Sequence, residues 1–537
     1  MTRSADNRQT LDEAQRRRTI AVISHPDAGK STLTEALLLH AHAIGEAGAV
    51  HGKAGRRKTV SDWMDMEKAR GISISSAAIQ FEHDGTVINL VDTPGHSDFS
   101  EDTYRVLSAV DCAIMLVDAS KGLEAQTMKL FDVCRKRKIP IITMINKWDR
   151  PGLEALALMD EIEDRTKLLA TPVNWPVGRS GDFQGLLTVT DHSLTTFNRT
   201  AGGSTVASED VFVRDAAADV GGPAWEVASE EVSLLALEGH THDETMFLAG
   251  ESTPVLFGAA VHNLGVRALL EAIVSSAPSA DARLDVSGTP RSVDSSFSGF
   301  VFKVQSGMDA AHRDRLAFIR VCSGTFERGM TAIHAQTQRP FATKYAQQLF
   351  GRERETVDVA WPGDIVGLVN ANALRPGDTL YVGDAVQFPP LPQFAPEYFR
   401  SVRAVDSSKH KQFKRGIDQL ELEGVIQVLR SERRGHVPVL GAVGPMQFEV
   451  VDDRMAKEFN CPIVLDELPY TIARATTAAT AAQLDHSTDA EVLTRSDGTR
   501  IALVSTIWRL RAMQRNNPDL VFESLGVDTQ DASLALA

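Results

Sequence analysis

The sequence predicts a multidomain α/β protein: a phosphate-loop domain with a parallel sheet and an insertion, then a β-barrel domain, then a ferredoxin-like α/β domain. Three observations predict it. The first 150 residues alternate short apolar runs with helical patterns, as in a parallel sheet covered by helices on both faces. From roughly 296 to 390 short β-rich runs alternate with the turn signals "RGM", "PGD" and "RPGD". Beyond residue 398 the order becomes β-α-β-β-α-β.

Composition narrows the class. A chain of 537 residues is too long for one ordinary core. Its 71 acidic and 56 basic residues give a net charge of -15, so any nucleic-acid contact has to be local. Cys112, Cys134, Cys322 and Cys461 form no C-x-x-C pair, which suggests neither a disulfide framework nor a zinc site and fits a reducing cytoplasm. The N-terminus lacks the apolar core of a signal peptide, and the most apolar stretch, "VDCAIMLVDA", is interrupted by Asp111 and Asp118. Export and membrane association are not expected.

The elements of the first domain follow in order. "TIAVI", "TVINLV", "CAIMLVD" and "IPIITMIN" read as buried strands, each followed by a polar or glycine-bearing loop. In open α/β sheets ligands bind at those carboxyl ends. The looser sequence from 151 to about 252 reads as an insertion into a domain spanning 1–285, before the apolar "TPVLFG" returns. The polar "SGTPRSVDSS" then leads to the barrel at 296–390, and "FPPLPQFAPE" to the ferredoxin-like unit at 398–475. Residues 476–537 read as an extension with one strand and one helix.

The loops carry the chemistry. "SHPDAGKST" departs from G-x-x-x-x-G-K-[ST] only at Ser24. A phosphate loop curls backbone N–H groups around phosphate oxygens at a helix N-terminus, so Ser24, His25, Pro26, Asp27, Ala28, Gly29, Lys30, Ser31 and Thr32 are assigned to the nucleotide. Lys30 would reach the β- and γ-phosphates and the Ser31 hydroxyl Mg²⁺. Taken alone, the motif could also be a polar turn with Ser31 or Thr32 as helix cap.

Three further loops favour the phosphate loop. "LVDTPGH" places Asp92 at a strand end, suited to Mg²⁺ through water, followed by Thr93, Pro94 and Gly95, whose N–H could sense a γ-phosphate. "NKWD" supplies Asn146, Lys147, Trp148 and Asp149. The Asp149 carboxylate can accept from guanine N1 and its exocyclic amine, a pair of donors that adenine lacks. "FGAAV" adds Gly258 and Ala259, with the Ala259 N–H expected at guanine O6. These loops predict GTP and GDP as ligands with Mg²⁺. Ser73 in "ARGISIS" would hold the metal only while γ-phosphate is present. His96 is the catalytic candidate that positions the attacking water, with Pro26 and Ile72 as an apolar gate. The basic "GKAGRRK" could touch phosphate or RNA and reads equally well as a solvated loop, whereas "KHKQFKR", with Lys409, Lys411, Lys414 and Arg415, reads first as a solvated helix face and only second as an RNA contact; the histidines of "LLLHAHA" and "HTHDE" are better explained as exposed polar turns and helix faces than as metal ligands.

"SHPDAGKST", "SDWMDMEKARGISIS", "DTPGHSDFSEDTYR" and "NKWD", continued by "GFVFKVQSGMDAAHRDRLAFIRVCSG" and "GAVGPMQFEVV", closely resemble the class II release factors, a family of translational GTPases. The resemblance runs to about residue 475. It implies ribosome binding during termination, with a GTP state that promotes dissociation of the codon-reading class I release factor after peptide release and a hydrolysis of GTP that then lets the protein leave; a monomer is expected. Ser24, Lys30, Ser31, Ser73, Asp92, His96, Asn146 and Asp149 sit at matching motif positions. Ser31 and Ser73 stand where many translational GTPases carry threonine, and the hydroxyl survives. An elongation or ribosome-protection factor is the nearest alternative, but only some sixty residues follow 475, short of an ordinary ~100-residue domain. N-K-W-D argues against an ATPase, and His96 against a binding module without turnover.

Overall fold

The computed structural model describes residues 2–43, 77–94, 98, 100–197, 208–306, 315–350, 353–391, 394–431, 435, 437–485 and 487–525. After helix α1 (Thr2–Gln15) the first domain runs β1 (Arg17–Ser24), α2 (Lys30–His40), β2 (Ala77–His83), β3 (Thr86–Asp92), α3 (Ser100–Leu107), β4 (Cys112–Asp118), α4 (Ala125–Arg137), β5 (Ile141–Asn146), α5 (Ala155–Thr166) and β6 (Leu169–Pro172). It resumes, beyond further strands, with β11 (Ser252–Phe257) and α8 (Val266–Ser276). The strand order is β2-β3-β1-β4-β5-β11-β6; β2 is antiparallel to β3 and the other neighbours are parallel. Successive side chains of a strand face opposite sides. Ile20 and Val22 of β1 therefore enter one core with Leu33 and Leu37 of α2, while Ala21 and Ile23 enter the other with Phe131 and Cys134 of α4. The apolar runs are continuous because both faces are covered.

The segment expected to be one loose insertion divides. Helix α5 and strand β6 belong to the main sheet, where β6 pairs with β11. The separate part is the antiparallel sheet of β7 (Asn174–Arg179), β8 (Asp182–Thr188), β9 (Leu194–Phe197) and β10 (Glu209–Phe212), crossed by α6 (Arg214–Leu237). Helix α6 breaks at Gly222, which is non-helical (φ 53°, ψ -143°) just before Pro223. A short helix, α7 (Glu244–Ala249), returns the chain to β11, its first turn capped by the Asp243 side chain, which accepts from the Met246 N–H. Four-residue β6 is too short to show a period, which is why the sequence merges it with its neighbours.

The second domain pairs Ser298–Ser306 with Arg315–Ser323, and the latter with Ile365–Val369, around a barrel-like core of Val301, Ile319, Phe326 and Leu380. In the third domain the strands lie in the order Ile463–Glu467, Tyr398–Ala404, Val439–Ala442 and Gln427–Arg430, with helices His410–Glu423 and Met446–Lys457 packed on them over Leu420, Val428, Phe448 and Met455. The chain after this unit does more than the expected strand and helix. Ile472–Thr476, Ala490–Arg495, Arg500–Val504 and Phe522–Glu523 extend the same sheet to eight strands. The low-complexity "TAATAAQ" is a helix capped by Thr477, whose hydroxyl accepts from the Thr480 N–H at 3.2 Å.

Charged side chains join the domains. Arg17 lies 2.8 Å from Asp364, and Arg320 donates to both Asp111 oxygens at 2.6 and 2.8 Å. Helix α3 meets the third domain: Arg105 bonds Glu101 at 2.6 Å and the Glu423 carbonyl at 3.1 Å, while Asp98 accepts from the Met446 N–H at 2.7 Å.

Candidate nucleotide-binding site

Strands β3, β1, β4, β5 and β11 are parallel neighbours in that order, so the loops at their carboxyl ends meet. Ser24 closes β1, paired with Leu116 of β4 and fully buried, and among the described residues its hydroxyl has no hydrogen-bond partner. A small side chain is what this tight exit tolerates. Gly29 caps α2 in the left-handed region (φ 100°), and a Cβ there would stand 2.5 Å from Asn146 Nδ2. Gly29 is thus demanded twice, by its backbone and by Asn146. Within the loop the Ala28 N–H donates to the His25 carbonyl at 3.3 Å, and the Leu33 N–H to the Gly29 carbonyl at 2.9 Å.

The buried Lys30 ammonium donates to Asp92 Oδ1 at 2.5 Å, so the lysine of the loop and the carboxylate at the end of β3 face each other. Thr93 fixes the next residue by donating to the Val22 carbonyl at 2.6 Å, and the Pro94 carbonyl accepts from Thr103 at 3.1 Å. Asn146 is the centre of the arrangement: Nδ2 donates to the Ala28 carbonyl at 2.8 Å and Oδ1 accepts from the Ala260 N–H at 2.9 Å. One buried amide thereby ties the phosphate loop to the loop after β11.

Lys147, itself left-handed (φ 67°), donates to the Asp27 carbonyl at 2.5 Å and to Asp118 Oδ2 at 2.8 Å. Burial alone would raise the Asp118 pKa, but hydrogen bonds from Lys147 and Ser120 overcome it and hold the carboxyl below its usual range. Among the described residues Asp149 Oδ1 is buried without a partner, while Oδ2 stands 3.5 Å from His262 Nε2. An unpaired buried carboxylate oxygen costs free energy unless a donor reaches it, which fits a ligand presenting N–H groups.

Two expectations change. The Ala259 N–H does not point into the site; it donates to the Leu264 carbonyl at 3.0 Å, because Ala259 and Leu264 close the loop as an antiparallel bridge. Trp148 presents no side chain to the site either. Its ring is fully buried, edge-on to Phe257 at 5.0 Å, and Phe257 in turn meets Trp175 of the inserted sheet at 5.2 Å. Trp148 positions its neighbours through its backbone, donating to the Gly258 carbonyl at 3.1 Å and accepting from the Gly181 N–H at 3.0 Å. Ile72, Ser73, Gly95, His96 and the basic "GKAGRRK" lie outside the described residues.

The sequence reading missed Asp118, Glu124 and His262. Asp118 ends β4 and anchors Lys147; its place at a strand end is the signal that could have found it. Glu124 holds His25 Nε2 at 2.7 Å, and His262 approaches Asp149 from the short 3-10 turn Ala260–His262, directly after the "FGAAV" stretch whose Gly258 and Ala259 are assigned to the nucleotide.

Comparisons with known proteins match the chain in three parts. Residues 15–279 match the family model described as Elongation factor Tu GTP binding domain, 296–383 that of Elongation factor G domain 2, and 388–514 that of Class II release factor RF3, C-terminal domain. A protein of Gloeobacter violaceus named "Peptide chain release factor 3" is 46% identical over 522 residues, covering 96% of this chain and 98% of the relative. The chain belongs to the peptide chain release factor 3 family. A second member, from Symbiobacterium thermophilum, is 43% identical, with 96% of this chain and 98% of the relative covered. A solved structure from Thermus thermophilus shares the fold (TM-score 0.67, 21% identity, 86% of this chain and 69% of that one). As a member of the release factor 3 family the chain is a translational GTPase of termination, hydrolysing GTP and interacting with the ribosome. Among the described residues no helix is long and apolar enough to cross a membrane.

Proposed function

We propose that this GTPase acts as a cytoplasmic monomer that displaces class I release factors from the ribosome after peptide release, and that the loops described above perform its nucleotide cycle. The observation that carries the reading is the Asn146 amide, which joins the phosphate loop to the loop beyond β11 while Asp149 Oδ1, a few residues on, stays buried and unpaired. A guanine N1–H and exocyclic amine would satisfy Asp149, with the Lys147 stem along the base.

Lys30 would bind the β- and γ-phosphates, exchanging its bond to Asp92 for phosphate oxygens. The oxygen set of Ser31, Ser73 and, through water, Asp92 fits Mg²⁺, a hard cation. When bound, Mg²⁺ neutralises charge on the phosphates. Gly95 would sense the γ-phosphate by its N–H, and His96 would hold the attacking water in line. Asp98 and Arg105 follow within the same segment and already touch the third domain, which gives the γ-phosphate side of the site a route to the rest of the molecule.

The test follows a labelled class I release factor on ribosomes from which the peptide has been released. Its dissociation should accelerate when this protein and GTP are added and stay at the spontaneous rate with GDP. Equal rates in both would overturn the proposed partner.

A further inference from the structure

We propose that helix Ile507–Asn516, close to the end of the described chain, is a contact for single-stranded RNA: Trp508 stacks on a base, and Arg511 and Arg515 hold the adjoining phosphates. Trp508 is 72% exposed, whereas Trp148, Trp175 and Trp225 are buried. Its place on the helix is specific. Residues 508, 511 and 515 recur at i, i+3 and i+7 and therefore share one face. Leu510, on the opposite side, is buried with Leu484, Ala502, Val504 and Leu520. The inner face thus accounts for the fold of the helix, and the outer face is left with an indole and two guanidiniums.

The helix is locally basic within an acidic chain. "IWRLRAMQRN" holds three arginines and no acid, in a protein of net charge -15. Arg509 is occupied by Asp489. Among the described residues Arg511 and Arg515 form no ion pair. The Arg511 guanidinium carbon lies 5.6 Å from the Trp508 ring centroid, so cation and aromatic surface are already adjacent. Arginines 511 and 515 are one turn apart, about 6 Å along the axis, comparable with the step between phosphates of an extended strand.

Polyanion charge selects this surface, and stacking selects unpaired bases within that class. Single-stranded nucleic acids bind through such pairs of an aromatic platform and basic groups. An anionic membrane fits less well, because the apolar side of the helix is committed to the sheet and, within the helix, Trp508 is the one large apolar side chain exposed on the outer face. The proposal concerns where RNA is met; the ribosome supplies RNA in the family's function.

The experiment uses the full chain and a labelled mixed-sequence single-stranded RNA oligonucleotide, read by anisotropy over a range of salt. Trp508→Ala should weaken binding about tenfold, with the salt slope unchanged, and Trp508→Phe should restore most of it. Arg511→Ala with Arg515→Ala should lower the slope of log affinity against log salt by about 1.4, two phosphate contacts at about 0.7 each. GTP affinity should be the same in all variants, which checks folding. Failure of the wild type to bind RNA, equal binding by all variants, or binding to anionic vesicles in place of RNA overturns the proposal. Ribosome titrations form a separate arm: RNA binding without any response to ribosomes would count against the proposed partner and leave this contact standing.

Discussion

Asp149 and Asn146 divide the work of base recognition in the proposed site. Asn146 spends both ends of its amide on backbone groups, while Asp149 keeps a buried oxygen unpaired. Hydrogen bonds to a charged group contribute about 1.5–3 kcal/mol each. Asp149→Asn should therefore weaken GTP about a hundredfold. Inosine triphosphate, which lacks the exocyclic amine, gives the sharper measurement: the wild type should prefer GTP to it, and the variant should lose most of that preference. An unchanged preference would show that Asp149 does not read the amine. The residues of this site were legible in the sequence wherever the chemistry is local, as in Gly29, Lys30 and Asp149. They were not legible where the partner comes from a distant loop. Nothing near Ala259 in the sequence says that Leu264 will take its N–H, and nothing in "NKWD" says that the tryptophan turns inward to Phe257.

At the scale of elements, α2 follows directly from its phosphate loop and buries most of its length against β1 and β3, ending at the buried His40. Burial lowers the His40 pKa from 6.5 to about 4, with the charge of Arg267 nearby acting in the same direction. The folded chain therefore binds fewer protons there than the unfolded chain. The stability this group contributes is present above pH 6.5 and is lost as pH falls toward about 4. Replacement by glutamine, which does not titrate, should flatten the fall in melting temperature between about pH 7 and about pH 5. Identical profiles for His40→Gln and wild type would contradict the burial argument. The parallel strands were readable because both their faces are covered and their apolar runs are unbroken. The last strands were not, because half-exposed strands such as Ala490–Arg495 carry charged residues and join a sheet begun almost a hundred residues earlier.

For the whole molecule, the informative contact is α3 with the third domain. Arg105 lies against Gly424, which is left-handed (φ 75°) and where any Cβ would collide with the guanidinium. The neighbouring Glu423 is buried in a pair with Arg454, so the arginine meets a rigid wall. Arg105→Ala would leave Glu101 without its bond and remove the contact to the Glu423 carbonyl, at a cost of about 3 kcal/mol by the usual penalty for breaking a buried charge pair. Hydrogen exchange should rise in helix His410–Glu423 and in α3, with GTP affinity retained. Unchanged exchange would mean that the two domains are held elsewhere, for example by Arg320 and Asp111 through the barrel.

The most direct test of the account is GTP turnover by the wild type and by His96→Ala, each with and without purified ribosomes. Ribosomes should stimulate the wild type strongly, and the substitution should remove about a hundredfold or more of the stimulated rate while nucleotide binding persists. Turnover that ignores ribosomes, or a His96→Ala protein stimulated as well as the wild type, would contradict it.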